Sequence, residues 1–249
     1  MIEDFKRLVK ALQPVKTKHD LIRIGGANDG GYLLPNDLKG ISECFSPGVD
    51  VTVTFEKDLL SRGIRSHLAD ASVDGAPDGL EVASFEKKYL GGVNDDGHMT
   101  LETWVREHRP SIWKKDGSVI IEDFILQMDI EGGEYTTILA TPIDILKRFR
   151  IIAIEVHHAN HWFHPLAWGM VKGFFDKLMA DFHVVHFHPN NNCPFIQVDD
   201  VLFPSVFELT LLRKDRADPE GFVDTFPHPL DQPNVTDKPD RPMPEGWYK

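Results

Sequence analysis

Three carboxylates fall within six residues at Asp129-Ile130-Glu131-Gly132-Gly133-Glu134. Like charges that close repel one another unless something positive offsets them. A helix start, a bound cation or a cationic cofactor would do so. Helix capping by Asp129, with glutamates in the first turn, is the plain alternative. The histidines are also unevenly spread: seven of twelve lie between His157 and His188. His157 and His188 each follow an apolar run that reads as a strand, Ile151–Val156 and Phe182–Phe187. Asp129, His157 and His188 are therefore expected at three neighbouring strand ends, converging on one mouth. Two imidazoles and a carboxylate suit a divalent metal with open positions, Mg, Mn or Zn. Without a metal, His157 is the preferred general base, because imidazole titrates near neutrality. His158, His161, His164, His183 and His186 are expected to be packing and loop residues.

A second pair is informative by its spacing. Phe45-Ser46-Pro47-Gly48-Val49-Asp50 follows a strand candidate, and its glycine lets a ligand approach the backbone closely. Asp70-Ala71-Ser72 follows the next strand candidate, 22 residues beyond Gly48. Dinucleotide folds place a ribose-binding carboxylate at about that distance, about 20 residues. A helix N-cap aspartate would look the same in isolation. Near the start, Asn28-Asp29-Gly30-Gly31-Tyr32 carries more polar groups than a tight turn requires, and Asn28, Asp29 and Tyr32 are expected to line an acceptor pocket.

The elements that must position these groups are readable from periodicity. Ile2, Phe5, Leu8, Val9 and Leu12 mark an amphipathic helix. Leu21–Ile24 and Tyr32–Pro35 around the glycine-rich turn predict a hairpin. From residue 41 onward, strand candidates at 41–45, 64–69, 80–85, 124–128, 151–156 and 182–187 alternate with helical stretches at 51–62, 100–108, from 134, and 167–180. Such alternation predicts a mostly parallel sheet with helices on both faces, and the apolar run at 201–212 adds an antiparallel C-terminal strand. Residues 91–118, rich in Gly, Asn, Asp and Lys, read as an insertion. Three segments follow: a helix and hairpin at 1–40, an α/β domain at 41–217, and a proline-rich arm at 218–249. Seven prolines after residue 217 forbid regular helix or central strand there, leaving an extended arm or disorder. The arm is also a candidate homodimer contact.

Composition narrows the classes. Of 249 residues, 41% are hydrophobic and 27% charged, enough for a core and against global disorder. A net charge of −12 argues against nucleic acid and anionic membrane as partners. Two cysteines, Cys44 and Cys193, form neither a disulfide framework nor a thiolate zinc site. The opening residues contain no signal-like apolar run, so a cytoplasmic location is expected.

Leu126-Gln127-Met128-Asp129-Ile130-Glu131-Gly132-Gly133-Glu134 resembles the K-x-D-x-E-G-x-E signature of FkbM-type methyltransferases. Thr100-Leu101-Glu102-Thr103-Trp104 and Ile154-Glu155-Val156-His157 resemble the segments that flank it. Arg23-Ile24-Gly25-Gly26, Asp29-Gly30-Gly31-Tyr32 and Phe55-Glu56 resemble the methyltransferase-like subgroup. The resemblance spans about residues 21 to 213. It implies a Rossmann-like class I fold using S-adenosylmethionine, often on sugar hydroxyls. Carried over, Ser46, Gly48, Glu56, Asp70 and Ala71 would bind the cofactor, with Asp129 near the methyl-transfer centre. The implied partner is a small-molecule or glycan acceptor. Pro47 and Asp50 stand where further glycines are common, and Gln127 replaces the usual lysine.

Other classes fit less well. A nicotinamide dehydrogenase needs a G-x-G-x-x-G turn, which Ser46–Asp50 lacks. His157-His158-Ala159-Asn160-His161 is not the H-E-x-x-H of a zinc hydrolase. A non-catalytic module binding glycan or protein through its histidine-rich loops is the alternative from another class. Binding of S-adenosylhomocysteine separates it from a methyltransferase.

Overall fold

Strands buried on both faces read as nearly continuous apolar runs, and Phe124–Met128 and Phe149–Val156 are buried along their whole length. The computed structural model describes residues 1–49, 52–109 and 122–247. It places these two runs in the middle of a seven-stranded sheet. In chain order the sheet takes β3 (Glu43–Pro47), β4 (Arg65–Ala69), β5 (Ser84–Glu86), β8 (Phe124–Met128), β9 (Phe149–Val156), β10 (Phe182–Pro189) and β13 (Phe207–Arg213). In space the order is β10-β13-β9-β8-β3-β4-β5. Neighbours from β9 to β5 are parallel, and β13 is antiparallel to both β9 and β10. This is the mixed α/β, mostly parallel sheet with an antiparallel C-terminal strand that strand–helix alternation predicts, and it is consistent with a Rossmann-like scaffold.

Alternate residues of each strand feed two cores. Phe45, Leu126, Ile152, Leu209 and Phe187 meet Phe5 of α1 (Ile2–Ala11), Trp104 of α3 (Leu101–His108), Ile138 of α4 (Glu134–Ala140), Leu146 of α5 (Ile143–Leu146) and Phe174 of α6 (Pro165–Asp181). On the other face, Cys44, Ile125, Ile151 and Leu212 meet Phe55 and Leu59 of α2 (Thr54–Ser61). There α2 shares the cover with a hairpin, β1 (Leu21–Ile24) and β2 (Tyr32–Pro35), which brings Ile24, Tyr32 and Leu34. Helices therefore lie on both faces, with the larger share on the first. No described helix is long and apolar enough to cross a membrane.

Several details depart from the sequence reading. The strand expected at 41–45 runs two residues later, and the third parallel strand shrinks to Ser84–Glu86. The stretch read as an insertion holds β7 (His98–Met99), which pairs in parallel with β6 (Tyr89–Leu90) just before it, and then α3, the helix expected at 100–108; residues 110–121 fall outside the described ones. A hairpin of β11 (Phe195–Val198) and β12 (Val201–Pro204) precedes β13, splitting the run at 201–212 in two. Residues 218–247 form an extended arm laid on the body. Lys16 and Val223 donate backbone hydrogen bonds to the carbonyls of Gly221 and Pro14 (2.8 Å each), Asn191 exchanges two with Val235, and Trp247 stacks on Phe203 at 4.8 Å.

Candidate active site

The chain lays β3, β4 and β5 outward in one direction and then returns to place β8 and β9 on the other side of β3. The sheet order reverses between β3 and β8, and open α/β sheets bind ligands outside the carboxyl ends of such strands. Gly48, Asp70 and Asp129 are the first residues past β3, β4 and β8. The Gly48 amide donates to the Ala69 carbonyl (3.0 Å) and the Asp129 amide to the Pro47 carbonyl (3.4 Å), so the three ends are laced together. Gly48 has φ +79°, and a Cβ there would stand 1.6 Å from the Asp129 carbonyl oxygen. Only glycine allows that approach.

Above these ends opens a cavity of about 640 Å³. Gly48, Val49, Phe55, Glu56, Ala69, Asp70 and Ser72 line one side, and Gln127, Asp129, Ile130, Glu131 and Gly133 another. Asp29, Gly30 and Tyr32 reach in from the hairpin, and Tyr89, Leu90 and His98 from the β6–β7 pair. Five lining side chains are carboxylates (Asp29, Glu56, Asp70, Asp129, Glu131), and no Lys or Arg is among the described lining residues.

Asp70 already has work in the wall. Its Oδ2 accepts from the Val49 amide (3.0 Å), and its Oδ1 from the Ser72 amide (2.7 Å) and hydroxyl (2.6 Å). It clamps the loop after β3 to the loop after β4. Ser46 is fully buried behind the cavity, 2.5 Å from Glu56 Oε1 and 2.6 Å from Gln127 Oε1. A hydroxyl has one proton, so it cannot donate to both. Burial raises the Glu56 carboxyl above its ordinary value, which allows a protonated Glu56 to donate to Ser46 and Ser46 to Gln127. The Gln127 amide then donates to the Tyr32 hydroxyl (3.3 Å). Burial also raises Tyr32, with Asp129 and Glu155 adding to the effect. Gln127 thus provides a neutral link between a buried acid and the hairpin tyrosine.

The loop after β8 is held by its own last carboxylate. Glu134 Oε1 accepts from the Ile130 and Gly132 amides (3.2 Å each) and lies 2.9 Å from His157 Nδ1. Glu131 (φ 54°) and Gly132 (φ 105°) both take left-handed backbone to make this turn. A non-glycine residue there is strained and is kept only where surroundings over-determine it. Beside Asp129 stands Glu155 of β9. Burial, with Asp129 and Glu208 nearby, lifts Glu155 well above the usual carboxylate range. Burial likewise raises Asp129, to about 7. Burial alone would lower His157, but the bond to Glu134 and the surrounding carboxylates raise it.

The sequence-predicted residues therefore divide. Gly48, Glu56, Asp70, Asp129, Asp29 and Tyr32 share the cavity. Ser46 supports it from behind. Ala71 and Asn28 are not among the lining residues; Asn28 is exposed, and its carbonyl accepts from Arg23 to close the hairpin loop. Asp50 lies outside the described residues. His157 stands behind Asp129, its Nε2 3.7 Å from Asp129 Oδ1. His188 does not join them. Strand β13 runs between β9 and β10, so the ends carrying His157 and His188 are not neighbours, and His188 Nε2 instead lies 2.9 Å from Asp240 Oδ1. Glu134 stands with Asp129 and His157 instead: one oxygen or nitrogen atom from each of the three lies within 4.8 Å of the others. Sequence reasoning did not assign roles to Glu134, Glu155 and Gln127, although all three lie in the quoted motifs. It missed Tyr89, Leu90 and His98, for which no motif exists.

No family model matches the sequence, and no curated protein matches it. Among solved structures, the chain is similar to one in the crystal structure of a fibrillarin/Nop5p complex, with 10% identity, 71% of this chain and 74% of that chain covered, and a TM-score of 0.35. A likeness that slight carries no argument about fold or activity.

Proposed function

We propose that this chain is an S-adenosylmethionine-dependent methyltransferase that methylates a hydroxyl of a sugar or other small molecule. The observation that carries the reading is the acidic lining of the cavity at the sheet's reversal point: Asp29, Asp70 and Glu131 beside the buried acids Glu56 and Asp129, no Lys or Arg among its described lining residues, and a glycine pressed against the floor. Such a lining favours a ligand that is cationic and rich in hydroxyls. The sulfonium and amino groups of S-adenosylmethionine supply positive charge, and its ribose supplies hydroxyls for Asp70. The same lining disfavours a pyrophosphate, which argues against a nicotinamide dinucleotide. A volume of about 640 Å³ falls within the usual range for cofactor-sized ligands, roughly 300–1,000 Å³.

The chemistry asked of the protein is alignment and proton removal, since a sulfonium already activates its methyl group. Asp29 and Tyr32 support an acceptor site facing Asp129 across the cavity, and the acceptor's proton passes to the carboxylate–imidazole cluster headed by Asp129. Glu134 acts as a positioning residue by fixing both the loop and the imidazole. Calorimetry with S-adenosylhomocysteine in the presence of EDTA tests the reading. Binding at one site per chain supports it. An absence of binding by folded protein refutes it and leaves the non-catalytic module.

A further inference from the structure

His157 is 6% exposed, and its Nδ1 is committed to Glu134. Its Nε2 faces three carboxylate oxygens: Glu131 Oε2 at 3.4 Å, Asp129 Oδ1 at 3.7 Å and Glu155 Oε2 at 3.9 Å. All three exceed good hydrogen-bond length, and Nε2 makes no hydrogen bond among the described residues. Asp129 Oδ1 is buried and has no partner either, and the same holds for Oε2 of the fully buried Glu134. A neutral-to-cationic ring surrounded by carboxylates ought to close on one of them; here the groups stand apart.

The spacing has a simple source. Two ligand atoms each about 2.1 Å from one ion stand about 3.0–3.6 Å apart for bond angles of about 90–120°. The Glu131 and Asp129 distances fall within or just beyond that interval. Metal-ligating histidines donate their other ring nitrogen to a carboxylate that sets the ring's orientation, which is what Glu134 does at Nδ1. The surroundings agree: four carboxyl groups (Asp129, Glu131, Glu134, Glu155) surround one imidazole, and no Lys or Arg is among the described residues lining the cavity beside them.

We propose that the protein binds one divalent transition-metal ion between His157 Nε2 and Asp129 Oδ1, with Glu131 closing the shell and Glu134 orienting the imidazole. An imidazole ligand favours Zn²⁺ over Mg²⁺ or Ca²⁺, and the accompanying carboxylates also suit Mn²⁺. The ion sits at the edge of the cavity, against the loop that carries Asp129, where it would lower the pKa of an acceptor hydroxyl. The site itself needs only the geometry, not the methyl-transfer reading.

The test is titration of the chelator-stripped chain with MnCl₂, followed by the electron paramagnetic resonance of free Mn²⁺, and with ZnCl₂ by calorimetry, with no methyl donor present. One ion per chain is expected. Asp129→Asn and His157→Gln should each weaken binding about 10–100-fold or more. Glu131 is 84% exposed at its side chain, so Glu131→Gln leaves the fold intact and should also weaken binding, by about tenfold. Removing one of several crowded negative charges should leave metal-free Asp129→Asn at least as heat-stable as the parent, which separates lost binding from lost folding. Absence of stoichiometric binding by the parent chain, or parental affinity in both Asp129→Asn and Glu131→Gln, overturns the proposal. S-adenosylhomocysteine binding in EDTA is measured separately, so failure of the ion site and failure of the methyltransferase reading are distinguishable.

Discussion

Gly48 is the position where residue type matters most. Its missing Cβ makes room for the Asp129 carbonyl, a backbone atom that cannot swing aside. Gly48→Ala combines a left-handed backbone, worth about 1–2 kcal/mol, with overpacking, worth about 1–3 kcal/mol. The expected outcome is a loss of about 2–4 kcal/mol in urea unfolding and at least tenfold weaker S-adenosylhomocysteine binding; parental affinity would show that the β3–β8 contact does not shape the cavity. Asp70→Ala is expected to weaken the same ligand by about 1.5–3 kcal/mol, the range for hydrogen bonds to a charged group. Because Asp70 also clamps Val49 and Ser72, the Asn variant is the needed companion. Asparagine keeps an acceptor for the loop but loses the charge, and unchanged affinity in both would remove Asp70 from ligand binding. At this scale the Gly48–Asp70 pair was legible because strand ends and their spacing are local facts. The role of Glu134 was not, because a carboxylate that folds back on its own loop and also holds a histidine 23 residues later looks, in sequence, like any first-turn glutamate.

Among elements, the hairpin and the helices could be read from periodicity, whereas the place of β13 could not. An antiparallel strand that arrives last and inserts between β9 and β10 leaves no mark in its own sequence, and it separates His157 from His188. His188 instead joins a clasp. Together His188–Asp240 and His186–Asp231 (2.8 Å) pin the arm to β10, and the arm's Asn234 carbonyl accepts from the Asp29 amide (3.3 Å) at the cavity rim. Burial would lower His188, but Asp240 and Glu208 raise it to about 10, while Asp240 is lowered despite burial by His188. A free histidine titrates near 6.5. The His188 contribution is therefore fully present below about pH 6.5 and is lost as pH rises toward about 10; the Asp240 contribution is present above about pH 4 and is lost as pH falls below it. Amide exchange across residues 228–240 should accordingly quicken between pH 7 and 10 in the parent more than base catalysis of exchange requires. His188→Gln should remove that extra slope, and its persistence would place the pH response elsewhere.

At the scale of the whole molecule, composition and alternation were enough for the α/β class, but not for how the second face is closed. That face depends on α2, the hairpin and the arm together, and the seven prolines only said that the arm has no regular structure. Trp247, where the arm wraps round to the first core, shows that irregular does not mean idle. It is 6% exposed, stacks on Phe203, and donates from its indole to the Leu202 carbonyl (3.0 Å). Trp247→Ala should cost about 3–5 kcal/mol in equilibrium unfolding, as large-to-small core changes do. A loss under 1 kcal/mol would mean the arm is peripheral to stability.

Phe203 touches Phe5 on one side, with ring centroids 5.3 Å apart, and Trp247 on the other. Helix α1 thus shares a core with residues more than two hundred positions further along the chain. Phe163 covers Phe5 at 4.9 Å before β12 is reached, but the aromatic cluster is closed only by Phe203 and then by residue 247. A chain ending near residue 217 would hold all seven strands of its sheet yet still expose aromatic surface, and would be a client for chaperones.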